Sequence, residues 1–299
     1  MRVDNTRLGI LMMLGSVFFL SIMNALVKIV AEHHPVNQVA FFRSAFALIP
    51  ALIAIRLHGS WAELRTDHPL GHVKRSAMGL MSMLLVFLSF SLLPLGEAVA
   101  MTFSAPLFLT ALSVPLLGEK VGLHRWSAVL VGFAGVLVMV RPDGEIVNLG
   151  ALAALGAALT QAFAMIAIRQ MSRTEAPNTI VFHFTAICTL VTALTLPFGW
   201  VTPTPADLAL LVTTGLVGGC AQLCLTRAYS LAPAAAVAPF TYVSLLWAVL
   251  FGWFLWQEVP TVHMMAGAAL VSASGLYILY REARRGRSKP VTGTPPGAD

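Results

Sequence analysis

Charge is scarce in this chain. Only 11% of its 299 residues are Asp, Glu, Lys or Arg, and 58% are hydrophobic, where a soluble domain carries about 25% charged residues. So little polar surface cannot clothe a water-facing globule of this size, which argues against a soluble enzyme or binding module. Acids are also missing from one particular place. No Asp or Glu falls deep inside an apolar run, whereas ion-coupled pumps commonly relay protons through buried carboxylates. The three cysteines, Cys188, Cys220 and Cys224, are odd in number and all lie in apolar sequence. They give no disulfide framework and no metal-ligand spacing, and neither metal nor cofactor is expected. An intramembrane enzyme would need a paired Asp, a Ser/His dyad or a metal cluster at membrane depth, and no such set is present.

What the chain does have is apolar runs. Ten can be marked, at about 8–31, 36–57, 72–93, 95–117, 125–141, 148–170, 177–199, 207–230, 234–256 and 262–280. Runs of this length span a bilayer as helices, because backbone polar groups in hydrocarbon must find partners within their own segment. The first run has no small-residue cleavage site after it and reads as a retained helix, not a signal peptide. The expected fold class is an all-α membrane protein of ten transmembrane helices.

The net charge of +6 does not mark a nucleic-acid surface, because the basic residues gather in alternate loops and in the tail. With the N-terminus in the cytoplasm, the inside segments hold Arg2, Arg7, Arg56, Arg65, Lys74, Arg75, Lys120, Arg125, Arg169, Arg173, Arg227, Arg281, Arg284, Arg285, Arg287 and Lys289. Only Lys28, Arg43 and Arg141 fall elsewhere. That asymmetry predicts both termini on the cytoplasmic side.

The chain also repeats itself. Pro94 answers Pro233, Thr102 answers Thr241, Phe103 answers Tyr242, Glu119 answers Glu258 and His124 answers His263, each pair 139 residues apart. Nearer the start the offset is 141, with Gly9 answering Gly150 and Lys28 answering Arg169. Each copy holds five spans. Five is odd, so the second copy enters the membrane inverted, and a pseudo-two-fold axis should lie in the membrane plane. The expected units are residues 1–141, residues 142–281 and a disordered cytoplasmic tail, 282–299.

These marks resemble those of the EamA-type branch of the drug/metabolite transporter superfamily. The matching residues are Leu93-Pro94-Leu95-Gly96-Glu97-Ala98 with Gly118-Glu119-Lys120, and Ala232-Pro233-Ala234-Ala235-Ala236 with Gln257-Glu258. In length and general character the chain is similar to amino-acid and metabolite exporters, including the YddG-type aromatic amino-acid exporters. The resemblance implies a multi-pass protein of the bacterial inner membrane that moves small metabolites out of the cytoplasm.

Polar side chains in hydrocarbon are costly and usually face a bundle interior or a water-filled hollow. Asn24, Gln161 and Gln222 fall near the centres of the first, sixth and eighth spans, where transporters hold substrate at a repeat interface. Interhelical hydrogen bonding is the competing role. Aromatic residues of the fourth and ninth spans form a second set: Phe103 matches Tyr242 and Phe108 matches Trp247. Phe103, Tyr242 and Trp247 are candidates to stack on a flat solute or to gate a cavity. Arg43 and His183 sit at nearly matching places in the second and seventh spans, where a charge could take a carboxylate or snorkel to the interface. Candidate hinges are Pro106 and Pro239, which each remove a helix donor, and the repeat mates Gly79 and Gly218.

The function the resemblance implies is export of small metabolites, amino acids including aromatic ones; the inverted repeat adds alternating access, and the lack of deep acids adds weak ion coupling or none. The alternative is a carrier for another class: drug-like cations, or nucleotide-linked or phosphorylated solutes. The expected partners are a small-molecule substrate and the lipid bilayer, without nucleic acid, and a monomer is compatible with the role.

Overall fold

Among the described residues ten helical spans are long and apolar enough to cross a membrane, and they fall on the ten apolar runs. The computed structural model describes residues 5–58, 64–66, 68–118, 121–140, 148–171, 174–232 and 234–287. Glu119, Lys120, Arg141, Pro233 and the tail from residue 288 lie outside the described residues. The elements are α1 (Thr6–Ala31), α2 (Val36–His58), α3 (Pro69–Leu92), α4 (Leu95–Thr102), α5 (Ala105–Leu117), α6 (Leu123–Val140), α7 (Leu149–Met171), α8 (Pro177–Thr195), α9 (Pro205–Leu231), α10 (Ala234–Val237), α11 (Val243–Trp256) and α12 (Val262–Arg287). A 3-10 segment, Ala238–Tyr242, joins α10 to α11. The last helix thus runs to Arg287, past residue 282 where the tail was expected to begin.

Local chemistry sets the helix ends. Asn5 caps α1 by accepting from the Leu8 N–H at 3.1 Å, and Thr204 caps α9 by accepting from the Asp207 N–H at 3.2 Å. Both bonds satisfy donors that a first turn leaves free. Proline opens α3, α8 and α9, where its missing N–H costs nothing. Gly118 ends α5 and Gln257 ends α11, both left-handed, with φ of 65° and 56°. These two are repeat mates, so the second copy places a side chain where the first uses the residue best suited to positive φ.

Packing follows the duplication. α1 lies along α9, and α3 lies along α7 as the equivalent pair, while α6 packs against α12. Close approach at the α6–α12 contact depends on glycine: a Cβ on Gly135 would stand 2.8 Å from Leu270 Cβ and 2.9 Å from the Gly267 carbonyl. Phe87, Phe90, Leu95 and Met101 are fully buried at the centre. Large apolar side chains on the outside remain bare, Phe198 at 91% and Leu123 at 86% exposure, as suits a surface solvated by lipid.

The fourth and ninth spans depart from the continuous helices expected over 95–117 and 234–256. Pro106 lacks the N–H that would bond to the Thr102 carbonyl, and the fourth span breaks at Phe103–Ser104 into α4 and α5. Pro239 is the second residue of the 3-10 segment of the ninth. The two breaks correspond under the repeat. Thr102 donates to the Val99 carbonyl at 2.7 Å, and its mate Thr241 donates to the Ala238 carbonyl at 2.7 Å.

Candidate functional site

The broken helices meet at Phe103 and Tyr242. Their rings stack with centroids 4.6 Å apart and planes 19° from parallel. Two residues that are mates under a two-fold can touch each other only beside the axis, so this stack marks the axis between the copies. The Tyr242 hydroxyl is buried without a hydrogen-bond partner among the described residues. It packs against the bare backbone of Gly275 in α12, where any Cβ would collide with it.

Contacts on the two sides of this stack differ. α4 packs against α11 on the membrane half away from the chain ends. On the half nearer the ends, α5 and the segment Ala234–Tyr242 hardly touch. The face opposite the termini, here called distal, is also latched by charge. Lys28 at the end of α1 donates to Glu258 Oε1 at 2.5 Å and to the Leu93 carbonyl at 2.7 Å. Glu258 Oε2 accepts from the Leu95 N–H at 2.8 Å. One lysine and one carboxylate thereby join the first span, the turn between the third and fourth, and the turn after the ninth. Trp256 adds to the closure by donating its indole N–H to Glu32 at 3.0 Å, with the Lys28 ammonium 5.1 Å from its ring. The structure is therefore latched on the distal face, and among the described residues no comparable packing joins α5 to Ala234–Tyr242 on the side of the termini.

A cavity of about 400 Å³, part of it open to solvent, lies among α2, α3, α8 and α9. Its polar lining is Arg43, Arg75, Thr185 and Gln222. Gly79 makes room for the Arg75 guanidinium, and Gly218, where a Cβ would first meet Met23 Sδ at 2.8 Å, lies in ordinary contact with Arg43. A Cβ on Gly218 would sit 3.6 Å from Arg43 Nε, and one on Gly79 would sit 2.6 Å from Arg75 Nη1. Both glycines lie inside unbroken helices, α9 and α3. The Arg75 guanidinium rests on the Phe184 ring, its carbon 3.5 Å from the centroid. The sequence reading set Arg75 among the basic residues marking the cytoplasmic face. The structure places it within α3, lining the interior.

The remaining candidates lie apart. His183 contacts the Thr179 carbonyl through Nδ1 at 2.9 Å, so that nitrogen carries the proton, because a carbonyl only accepts. Its ring lies 4.3 Å from the His72 ring. His72 Nε2 in turn is 3.7 Å from Glu175 Oε2, and Thr66 donates to Glu175 Oε1 at 2.7 Å. The Thr66 hydroxyl foremost, with His72 behind it, holds the Glu175 carboxyl below its ordinary range against the opposing effect of burial. Trp247 meets Phe18 and Phe251, away from the Phe103–Tyr242 stack. Phe108, its repeat mate, packs edge-on to Phe133. Asn24 and Gln161 are half-buried and line neither this cavity nor the stack. The structure thus gathers Arg43, Gln222 and Gly218 with Arg75, and Phe103 with Tyr242, but does not form one site from all the candidates. Among the described residues no cluster of His, Cys, Asp or Glu could hold a metal ion.

Comparison with known proteins follows the same division into halves. The EamA-like transporter family model matches twice, over residues 7–141 and 148–280. The chain belongs to this family. It is thus a transporter and not an enzyme, a multi-pass protein of the cytoplasmic membrane. It is 31% identical over 258 residues to a riboflavin transporter of Rhizobium johnstonii, covering 86% of this chain and 85% of the relative. It is 32% identical to the pseudopaline exporter CntI of Pseudomonas aeruginosa, with 91% and 95% coverage. An S-adenosylmethionine uptake transporter of Rickettsia prowazekii is 29% identical, with 84% and 85% coverage. One solved structure superposes with a TM-score of 0.63 over 94% of this chain and 99% of the other, at 18% identity, and that likeness bears on the fold alone.

Proposed function

We propose that the chain is an alternating-access carrier that moves a small metabolite across the cytoplasmic membrane, down that solute's own gradient. The observation that carries this reading is the one-sided meeting of the fourth and ninth spans: α4 on α11 at the distal half, with α5 parted from Ala234–Tyr242 on the other. Inverted repeats imply a mirror arrangement in which these contacts exchange. The helix breaks at Pro106 and Pro239 are the hinges at which the halves rock. Gly79 and Gly218 are then packing seats that let neighbouring side chains slide, and Phe103 and Tyr242 are the inner gate.

Relatives named for riboflavin, pseudopaline and S-adenosylmethionine favour a metabolite outside the aromatic amino acids, the second of the two classes expected from the sequence. By name they work in both directions. An uncoupled carrier does likewise, with the gradient setting the direction. The absence of coupling is supported by where the described carboxylates lie: Glu97 and Asp207 in first turns, Glu32 at a helix end, Glu282 in the last turns of α12, and Glu175 and Glu258 in connections. The test is counterflow in proteoliposomes loaded with riboflavin, S-adenosylmethionine or aromatic amino acids. Saturable exchange of at least one solute, with a final distribution insensitive to an imposed proton or sodium gradient, is the expected result. Absence of saturable exchange for every solute would refute the carrier reading, and gradient-driven accumulation would refute its uncoupled form.

A further inference from the structure

We propose that the cavity among α2, α3, α8 and α9 is an anion site, in which Arg43 and Arg75 grip a carboxylate or phosphate group of the transported solute. The proposal rests on the carrier reading and names the substrate class of that carrier.

Three observations converge on it. First, the guanidinium groups have spare donors. Arg43 Nε, Arg75 Nε and Arg75 Nη1 are buried and make no hydrogen bond. Among the described residues no Asp or Glu forms an ion pair with either arginine. A guanidinium held away from water without an acid is costly, and proteins ordinarily pair it or keep it for a ligand. Its planar fork matches the two oxygens of a carboxylate or phosphate.

Second, the scaffold does not require the charge. At the repeat offsets Arg43 answers Phe184 and Arg75 answers Thr214. The copies superpose at this spot, since Arg43 lies against Gly218 just as Phe184 lies against its mate Gly79. Uncharged residues therefore do the same packing work in the second copy. Both arginines come from the first copy, so the cavity sits on a near-symmetric frame but is positive on one wall only.

Third, the rest of the lining suits an organic anion. Among the described residues the Gln222 amide has no side-chain hydrogen-bond partner, and it offers both a donor and an acceptor. Thr185 spends its hydroxyl proton on the Val181 carbonyl at 2.9 Å, which leaves it an acceptor for a polar group on the solute. Ala47, Ala51 and Leu223 supply an apolar wall. The Phe184 ring fixes the plane of the Arg75 guanidinium. Lys28 is taken up by Glu258 in the distal latch and does not line this cavity.

The experiment uses the full-length protein in non-ionic detergent and compares matched neutral and anionic probes: riboflavin against riboflavin 5′-phosphate, glucose against glucose 6-phosphate, and succinamide against succinate. Thermal stabilisation reports binding, and counterflow reports transport. At least one anionic member should bind tenfold or more tightly than its neutral partner. Arg43→Gln and Arg75→Gln should each remove that preference, while Arg43→Lys retains part of it. Equal binding of neutral and anionic members, or a preference unchanged in both glutamine variants, would overturn the proposal. So would stabilisation by phosphatidylglycerol alone with no response to any soluble anion, which would make the cavity a lipid headgroup site. Should a glutamine variant fail to fold, the wild-type preference and the Arg43→Lys variant still decide. Failure of the carrier reading looks different: the wild type would exchange no solute, neutral or charged.

Discussion

Replacing Glu258 with glutamine removes the negative charge that holds Lys28 at the distal face while keeping an oxygen to accept from the Leu95 N–H. The Lys28 side chain is 9% exposed and that of Glu258 20%, so the pair lies between two regimes. Breaking a fully buried pair costs about 3–5 kcal/mol, and an exposed pair contributes about 0–1 kcal/mol. About 2 kcal/mol is a reasonable interpolation for this site. Both partners separate when the distal face opens, so the loss falls on the closed state. At 1.4 kcal/mol per tenfold, the distal-open population should rise about thirtyfold. Ala98 in α4 is fully buried behind the latch and can be changed to cysteine after Cys188, Cys220 and Cys224 are replaced by serine. An impermeant maleimide added at the distal face then labels at a rate proportional to the open population. Glu258→Gln should accelerate labelling by roughly ten- to thirtyfold. Lys28→Met should do the same, and the double variant should add little to either. The reasoning fails if the rate is unchanged, or if Glu258→Gln acts equally when Lys28 is absent.

Other consequences can be measured separately. Gly275→Ala places a methyl group against the Tyr242 hydroxyl and should destabilise by about 1–3 kcal/mol, read as a lower melting temperature with loss of exchange. Tyr242→Phe removes a buried hydroxyl that has no partner and should leave the melting temperature unchanged or slightly raised. Gly135→Leu would force α6 from α12, lowering stability without altering which solute is preferred. The Glu175 carboxyl is held below its ordinary value of 4.5. Its contribution to stability is full above that pH and fades as the pH drops through the lowered native value. Melting curves of Glu175→Gln should therefore differ from wild type near neutrality and converge in acid.

Much of the architecture was legible in the sequence because lipid leaves a chain few options. Long apolar runs must be helices, and an odd number of spans per copy inverts the second. The breaks at Phe103–Ser104 and before Tyr242 were legible only as prolines, since a proline in a span can mark a gentle kink or a true interruption. That Arg75 lines the cavity was not legible for a physical reason. A basic residue a few positions inside a helix end looks the same whether it snorkels toward headgroups or turns into the bundle. The Lys28–Glu258 latch was half visible: the repeat marks Glu258 as the mate of Glu119 and Lys28 as the mate of Arg169, but only tertiary geometry joins residues 230 positions apart. Asn24 and Gln161 expose another limit. In a membrane helix both the lipid side and the packed side are apolar, so periodicity does not tell which face looks into a hollow.

Alternating access is tested most directly by two distances across the fourth and ninth spans, measured by paired spin labels in one lipid preparation. Glu97→Cys with Phe254→Cys reports the distal half, and Leu116→Cys with Ala236→Cys reports the half nearer the termini. Saturating solute should populate a second state in which the first distance lengthens as the second shortens. Two distances that stay fixed under transporting conditions, or that lengthen together, would contradict the account.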